Sequence, residues 1–437
     1  MTSQVVFLTL FLGLIAGPHM VTLQVGSDVH SVRILFDSRP VAVLQQPPWR
    51  ATVDFGSSIV PGEMVAIGYD AGGNEVARAT QMVNVPRPVA EFVITLQNDA
   101  AGAPVAAHFR WEHLVGAKPV ALSLTVDGKR VPLDRSAGAR LPRLDMAHPH
   151  LIAGEIKFDD GFVARREVVV GGAVGDTADA EITPVAVRQS GAAAPANLGD
   201  CFTSAGSPVR VAAVEKSPAL VIFVLDPDPG EPLGTRNPQL SPAVAQRRAV
   251  RHLFSLDSGT FMRMLFPVAE RHSTTSNSMA DLFTPSEDVH SDSGGLTWFL
   301  TRGYGQYLKG NLPRQFADAV GVAGLNAISV AQRRAVVFVV SGREDDSTHG
   351  ALSVRNYLAS IGVPLFVWSA TGPRPELHDT WGEIDDISSP SKFKTASDRL
   401  RAELASQRVA WVAADPIAAL RIQPTGRCGI TPLAAAR

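Results

Sequence analysis

The sequence has no surplus charge, almost no cysteine and no apolar run of membrane-crossing length. Its 40 Lys and Arg residues nearly balance its 42 Asp and Glu residues, for a formal net charge of −2. Neutralising nucleic-acid phosphates takes a strong basic surplus, so no nucleic-acid partner is expected. The apolar run at the N-terminus, Val5 to Gly17, falls short of the roughly 20 residues a transmembrane helix needs. The chain is therefore not expected to be an integral membrane protein unless that segment is retained as an anchor. Nucleophile elbows, P-loops, dinucleotide fingerprints and metalloprotease helices are also missing. Neither an enzyme nor a bound cofactor is expected, an unrecognised hydrolase being the alternative.

What is present describes a multidomain globular protein. At 437 residues the chain is too long for one ordinary core, and 45% apolar with 19% charged residues rules out wholesale disorder. The run from Val5 to Gly17 has the length of a signal-peptide core, so residues 1–19 are read as a leader or short anchor, the alternative being a buried first strand.

Two stretches of the first half repeat one pattern. In residues 31–86 and 119–172 an alternating strand runs into a short turn, at Asp37-Ser38 or Asp127-Gly128, and a later hairpin turns at Asp70 or Asp159. Turns every 8–12 residues in a unit of about 90 match a small β-sandwich, and Asp-Gly supplies the positive φ angles of tight hairpins. Residues 20–86 and 87–172 are read as two such β modules, which resemble bacterial immunoglobulin-like modules. His148-Pro149-His150 has no third ligand nearby and is read as a plain loop. Residues 173–200, with an Ala/Gly/Pro-rich stretch, are read as a flexible linker.

From Pro218 the style changes. Ala219–Leu225 and Ala335–Val340 are continuous β-branched runs, the mark of parallel strands covered on both faces. The reading continues with helices from Ser241 and over 314–332, Ser347–Ile361 and 390–406. Further strands are expected at Phe261, around Met279–Phe283, at Val363–Ser369 and, last, at Val409–Ala413. This alternation specifies an α/β doubly wound parallel sheet over 201–428, followed by a tail at 429–437. Ligands of such sheets bind at the carboxyl ends of the strands, in the loops after Asp226, Ser341 and Ser369. Trp298, Tyr304 and Tyr307 lie near one helix at a spacing that reads as core.

Val221–Asp226, the Ser293–Thr297 loop, Arg334–Ser347 and Arg355–Ser369 together resemble a von Willebrand factor type A domain. More specifically, they are similar to the divergent relatives found in exported acidobacterial proteins that carry immunoglobulin-like modules upstream. The resemblance implies a Rossmann-like fold and a magnesium ion held by Asp-x-Ser-x-Ser, a Thr and a later Asp, with one coordination position open for a ligand carboxylate. Asp226 matches that pattern, Asp228 replaces the first serine and Gly230 the second. Thr297 lies near the threonine position, Ser341 stands where the second aspartate belongs, and Asp345 follows in the loop. The site is degenerate, and the plainer expectation is that Asp226 caps the sheet edge without metal. A rebuilt site on Asp226, Asp228 and Asp345 is the alternative, and calcium would tolerate its geometry better than magnesium.

In some members of the wider family, cysteines flanking the domain join its two ends. Cys201 and Cys428 bracket the predicted domain here, and a bridge between them implies an oxidising compartment. Closing so long a loop stabilises by about 4–5 kcal/mol in the chain-entropy model. The function these features imply is an exported periplasmic, envelope or extracellular protein that binds or scaffolds a protein partner, or else a structural envelope domain whose ligand site has decayed.

Overall fold

Two pairs of residues with positive φ mark equivalent hairpins in the first half: Asp37 (48°) with Ser38 (66°), and Asp127 (50°) with Gly128 (76°). This left-handed backbone matches the right-handed twist of the strands a two-residue turn must join. In the computed structural model the repeat is one of topology as well as sequence. The structure describes residues 5–9, 11, 13–85, 90–99, 103–113, 117–148, 150–159, 163–171, 182–189, 201–204, 207–209, 211–226, 237–241, 254–268, 283, 286, 288–302, 312–413, 422–424 and 428–433.

The first module comprises β1 (Val5–Phe7), β2 (Pro18–Val25), β3 (Ser31–Phe36), β4 (Arg39–Leu44), β5 (Arg50–Asp54), β6 (Gly62–Tyr69) and β7 (Glu75–Val83). They form two antiparallel sheets, in the orders β1-β2-β5 and β4-β3-β6-β7. The second module repeats this with β8 (Ala90–Asn98), β9 (Pro104–His113), β10 (Pro119–Val126), β11 (Lys129–Val131), β12 (Gly138–Arg140), β13 (His150–Phe158) and β14 (Val163–Val170). Its sheets run β12-β9-β8 and β11-β10-β13-β14. Alternating residues such as Val32, Ile34 and Phe36, or Ile152, Ile156 and Phe158, fill the two separate cores. The second module, with its flanks from Arg87 to Glu181, is a compact unit of its own.

Described residues of the N-terminal apolar run pack in the first module. Strand β1 pairs antiparallel with β2, the place that β8 takes beside β9 in the second module. Val5, Phe7, Phe11 and Ile15 are buried in the module core. Within the run, Val5–Phe7 thus forms a buried strand.

The α/β part uses β19 (Ala219–Leu225), β20 (Thr260–Leu265), β21 (Val289–His290), β22 (Arg333–Val340), β23 (Leu365–Ser369) and β24 (Ile384–Asp386) in one sheet of order β21-β20-β19-β22-β23-β24. All neighbours pair in parallel except β21 at the edge. Every residue of β19 and β22 is buried. One face packs on α2 (Phe316–Ile328) and α3 (Ala351–Ser360), the other on α1 (Leu296–Arg302) and α5 (Pro390–Ser406), with α4 (His378–Trp381) preceding β24. Helix α5 shows why its stretch is helical. Ser389 accepts from Lys392 N as N-cap, Pro390 opens the first turn, and Phe393, Ala396, Ser397, Leu400 and Leu404 form one buried stripe.

Two expectations for this region need correction. Val409–Ala413 lies in β25 (Gln407–Ala413), which is not the last strand of the parallel sheet. It pairs antiparallel with β15 (Ile182–Gln189) and β18 (Val211–Glu215), while β24 takes the edge beside β23. Residues 182–189, read as linker, are the strand β15. Its Pro184 lies opposite Trp411 of β25, and the strand on its other side pairs only from Val187 onward. That strand, β27 (Ile430–Pro432), completes the order β18-β25-β15-β27, and a smaller sheet joins β16 (Phe202–Ser204), β17 (Ser207–Pro208) and β26 (Gln423–Pro424). The helix expected to follow Ser241, the strand around 279–282 and most of the linker lie outside the described residues. Among the described residues, no helix is long and apolar enough to cross a membrane.

The first module and the α/β part belong to one compact unit. Leu14, Ala16 and Ile59 pack into the core beneath α2 and α3, and a Cβ at Gly321 of α2 would collide with Leu14. Asn84, at φ 58°, organises this contact. Its side chain accepts from Ile15 N at 2.7 Å and donates to Ile15 O at 2.9 Å and Val60 O at 2.8 Å. Its carbonyl accepts from the buried Tyr357 hydroxyl of α3 at 2.9 Å. Asn84→Ala removes the three side-chain bonds and places a Cβ residue without a local amide in the left-handed region. A loss of about 2–4 kcal/mol is expected, read by urea denaturation, and Asn84→Gly, which relieves the backbone, should lose less.

Candidate functional site

The register of the sheet sets the site. Leu225 pairs with Val339, so Asp226 and Ser341 finish neighbouring central strands one and two residues further on. Asp226 is 0% exposed. Its Oδ1 lies 3.0 Å from the Arg314 Nε, and its Oδ2 accepts from the Ser341 hydroxyl at 3.3 Å and faces the Arg343 Nε at 3.5 Å. The Ser341 Oγ in turn accepts from Arg343 N at 3.0 Å.

Arg314, in the segment leading into α2, is itself 2% exposed. Beyond Asp226, its Nη1 donates to Leu312 O at 2.7 Å, while its Nη2 is buried with no hydrogen-bond partner among the described residues. The backbone around it is tied down as well: Arg314 O accepts from Asp346 N at 2.7 Å, and Gln315 N donates to Pro267 O at 2.9 Å. One buried carboxylate thus gathers the end of β19, the loop after β22 and the entry to α2.

The other acid of the loop is used differently. Asp345 accepts from Phe316 N at 2.8 Å and Ala317 N at 3.2 Å, where its charge suits the positive end of α2. Asp318 of α2 reaches back, accepting from Thr348 N at 2.7 Å, His349 N at 3.0 Å and the His349 ring at 2.7 Å. Burial pushes the Asp318 pKa up, but these bonds more than offset it and leave the carboxyl below its ordinary value. The loop after β22 is therefore clamped to the first turn of α2 from both sides.

Of the residues expected at a metal, Asp226 and Ser341 come together. Asp345 is engaged at the α2 N-terminus, and Asp228 lies outside the described residues. Thr297 sits in α1 with a buried hydroxyl that has no partner among the described residues. Trp298 also belongs to α1 and packs against the core of that face, whereas Tyr304 and Tyr307 lie outside the described residues. Sequence reading missed Arg314 and Arg343. The signal for Arg314 is a basic residue two positions before a helix start, where the helix dipole disfavours positive charge. Its side chain goes to a carboxylate elsewhere.

Cys201 and Cys428 form a disulfide with a Cα–Cα distance of 5.5 Å across 227 residues of sequence. The bridge lies in the small antiparallel layer, in a core with Phe202, Val187, Ala410 and Ile430. In the second module His148 and His150 have separate roles. His148 meets Asp145 at 2.9 Å and is largely exposed. His150 places Nδ1 2.7 Å from Asp127 Oδ2 and Nε2 2.9 Å from Asp145 O. Two acceptors facing both ring nitrogens favour the imidazolium, and the Asp127 hydrogen bond first, then the Asp145 carbonyl, raise the His150 pKa.

No protein family matches the chain, and no curated protein matches it. Solved structures share limited likeness. Fibronectin(III)-like modules of CbhA from Clostridium thermocellum align at 13% identity over 18% of this chain and 92% of theirs, TM-score 0.17. The central fibronectin-III array of RIM-binding protein aligns at 12% identity over 44% of this chain and 81% of its own, TM-score 0.24. The ArnB paralog VWA2 from Sulfolobus acidocaldarius aligns at 11% identity over 64% of this chain and 53% of its own, TM-score 0.26. Likenesses of this size carry no part of the argument. The description of a multidomain, largely β-rich protein stands on strand order and packing.

Removing one partner of a buried ion pair strands the other charge. Asp226→Asn is expected to destabilise by about 3–5 kcal/mol, and the apolar pair Asp226→Leu with Arg314→Met by much less; thermal melts of the single and double variants read this. The His150 pair makes the second module pH-dependent. A raised pKa means a contribution that is full below the unfolded value of about 6.5 and is lost as pH rises through the folded value. Calorimetry across that range should show the loss, and His150→Ala should flatten it.

Proposed function

We propose that this is an exported binding or scaffolding protein in which β modules carry a type A-like, doubly wound α/β domain, and that the loops at the carboxyl ends of β19, β22 and β23 engage a protein partner. The single observation that carries the reading is the convergence of chain segments on Asp226 at the carboxyl edge of a parallel sheet, the edge where such sheets recognise ligands. Exposed Leu312 lies beside this cluster, with half-buried Arg343 next to it. The Cys201–Cys428 bridge supports an oxidising compartment and hence export. Binding is favoured over catalysis because the Ser341 hydroxyl donates to a carboxylate held by guanidinium groups, not to a general base.

A structural domain with a decayed ligand site is the second reading, favoured by the complete burial of Asp226. Capture from envelope extract by the purified full chain separates the two. A partner retained by the wild type and by Ser329→Arg, at the opposite edge of the sheet, should be lost on Leu312→Asp with Arg343→Ala. Equal recovery by all of these variants would favour the structural reading.

A further inference from the structure

A type A-like sheet raises the question whether a divalent cation fits at Asp226, and the described residues around it do not fit one. Such an ion needs oxygens at about 2.0–2.6 Å with room for several more ligands. Both Asp226 oxygens are already engaged, Oδ1 by the Arg314 guanidinium at 3.0 Å, Oδ2 by the Ser341 hydroxyl at 3.3 Å and the Arg343 guanidinium at 3.5 Å. The carboxylate is 0% exposed and Arg314 2% exposed, so an ion beside Oδ1 would sit against a buried positive charge. Asp345, the acid that would enlarge the ligand set, is spent on the first amides of α2. Among the described residues, no group of three or more His, Cys, Asp or Glu side chains is arranged to hold a metal.

We propose that the Arg314 guanidinium is the resident cation of this centre. It holds the end of β19 against the entry to α2, as an ion bridging those segments would. Arg314 is the better suited of the two arginines because it is covered from water, is closer to the carboxylate and is fixed through its Nη1 to Leu312 O. Arg343, at 28% exposure, closes the other oxygen from the outer side. Recognition at this edge then works without divalent ions. The inference rests on the type A-like reading only for the contrast with a metal centre, and the ion pair stands on geometry alone.

Manganese titration of the full chain, followed by electron paramagnetic resonance and by melting, tests it. The wild type should show no saturable Mn²⁺ binding at Asp226, and its Tm should be unmoved by Mg²⁺, Ca²⁺ or chelator. Arg314→Ser should lower Tm by roughly 5–10 °C, gain saturable Mn²⁺ binding, recover part of the loss with the ion, and lose the binding again when Asp226→Asn is added. Saturable binding to the wild type that Asp226→Asn abolishes would overturn the proposal, as would an Arg314→Ser variant with unchanged Tm. If Arg314→Ser does not fold, Arg314→Lys and Arg314→Gln decide. The lysine variant should melt higher than the glutamine variant, and equal melting would show that the charge is not needed. Failure of partner capture leaves these readouts untouched, so the two ideas fail separately.

Discussion

A carboxylate withdrawn wholly from water has to be matched by positive charge and hydrogen-bond donors, and Asp226 imposes that demand at the end of the most deeply buried strand. Desolvation of the pair is costly, and attraction offsets it only when the geometry is good and the remaining lone pairs are used. Here the demand is met from two directions, by Arg314 ahead of α2 and by Ser341 with Arg343 after β22. Neither segment can move without breaking these contacts. The loop after β22 is held again by the exchange between Asp345 and the α2 amides and between Asp318 and the loop amides. These few charges tie together the segments that make the sheet's carboxyl edge.

The parts of the fold legible in sequence were those with strong local chemistry. The β-branched runs of β19 and β22 could be nothing but covered strands, and α5 carries its cap, its Pro at the start and its apolar stripe in plain view. The paired turns at Asp37 and Asp127 likewise announced the duplication. What was hidden depended on distant partners. Strand β24 has one apolar residue, Ile384, and takes its place through pairing with β23. Strand β15 contains Pro184 and adjoins a low-complexity stretch, and only the opposing β25 makes it a strand. The apolar run near the N-terminus looks the same whether a membrane or a module core receives it, because length and hydropathy do not distinguish the two.

The candidate site was half legible for the same reason. Asp226 and Ser341 follow strands and could be placed by counting. Arg314 reaches the carboxylate from 88 residues away in sequence, and a lone arginine before a helix gives no hint of its target. The loop acids misled in the opposite sense. Asp345 looked like a spare metal ligand, yet the nearest unsatisfied donors were the amides of α2, and a carboxylate goes first to those.

Cys201 and Cys428 close the α/β part through the small antiparallel layer, where the chain enters by β15 and leaves past β25 toward β27. A pull applied between the segment before Cys201 and the segment after Cys428 has a covalent short cut across the sulfur atoms. The parallel sheet and its buried ion pair, which lie in the loop closed by this bridge across a sequence separation of 227, are not in the covalent path of that pull. Along the main chain such a domain can be tugged by its ends with the carboxyl edge of the sheet outside the path, and load enters it only sideways, through contacts such as the pairing of β15 with β25.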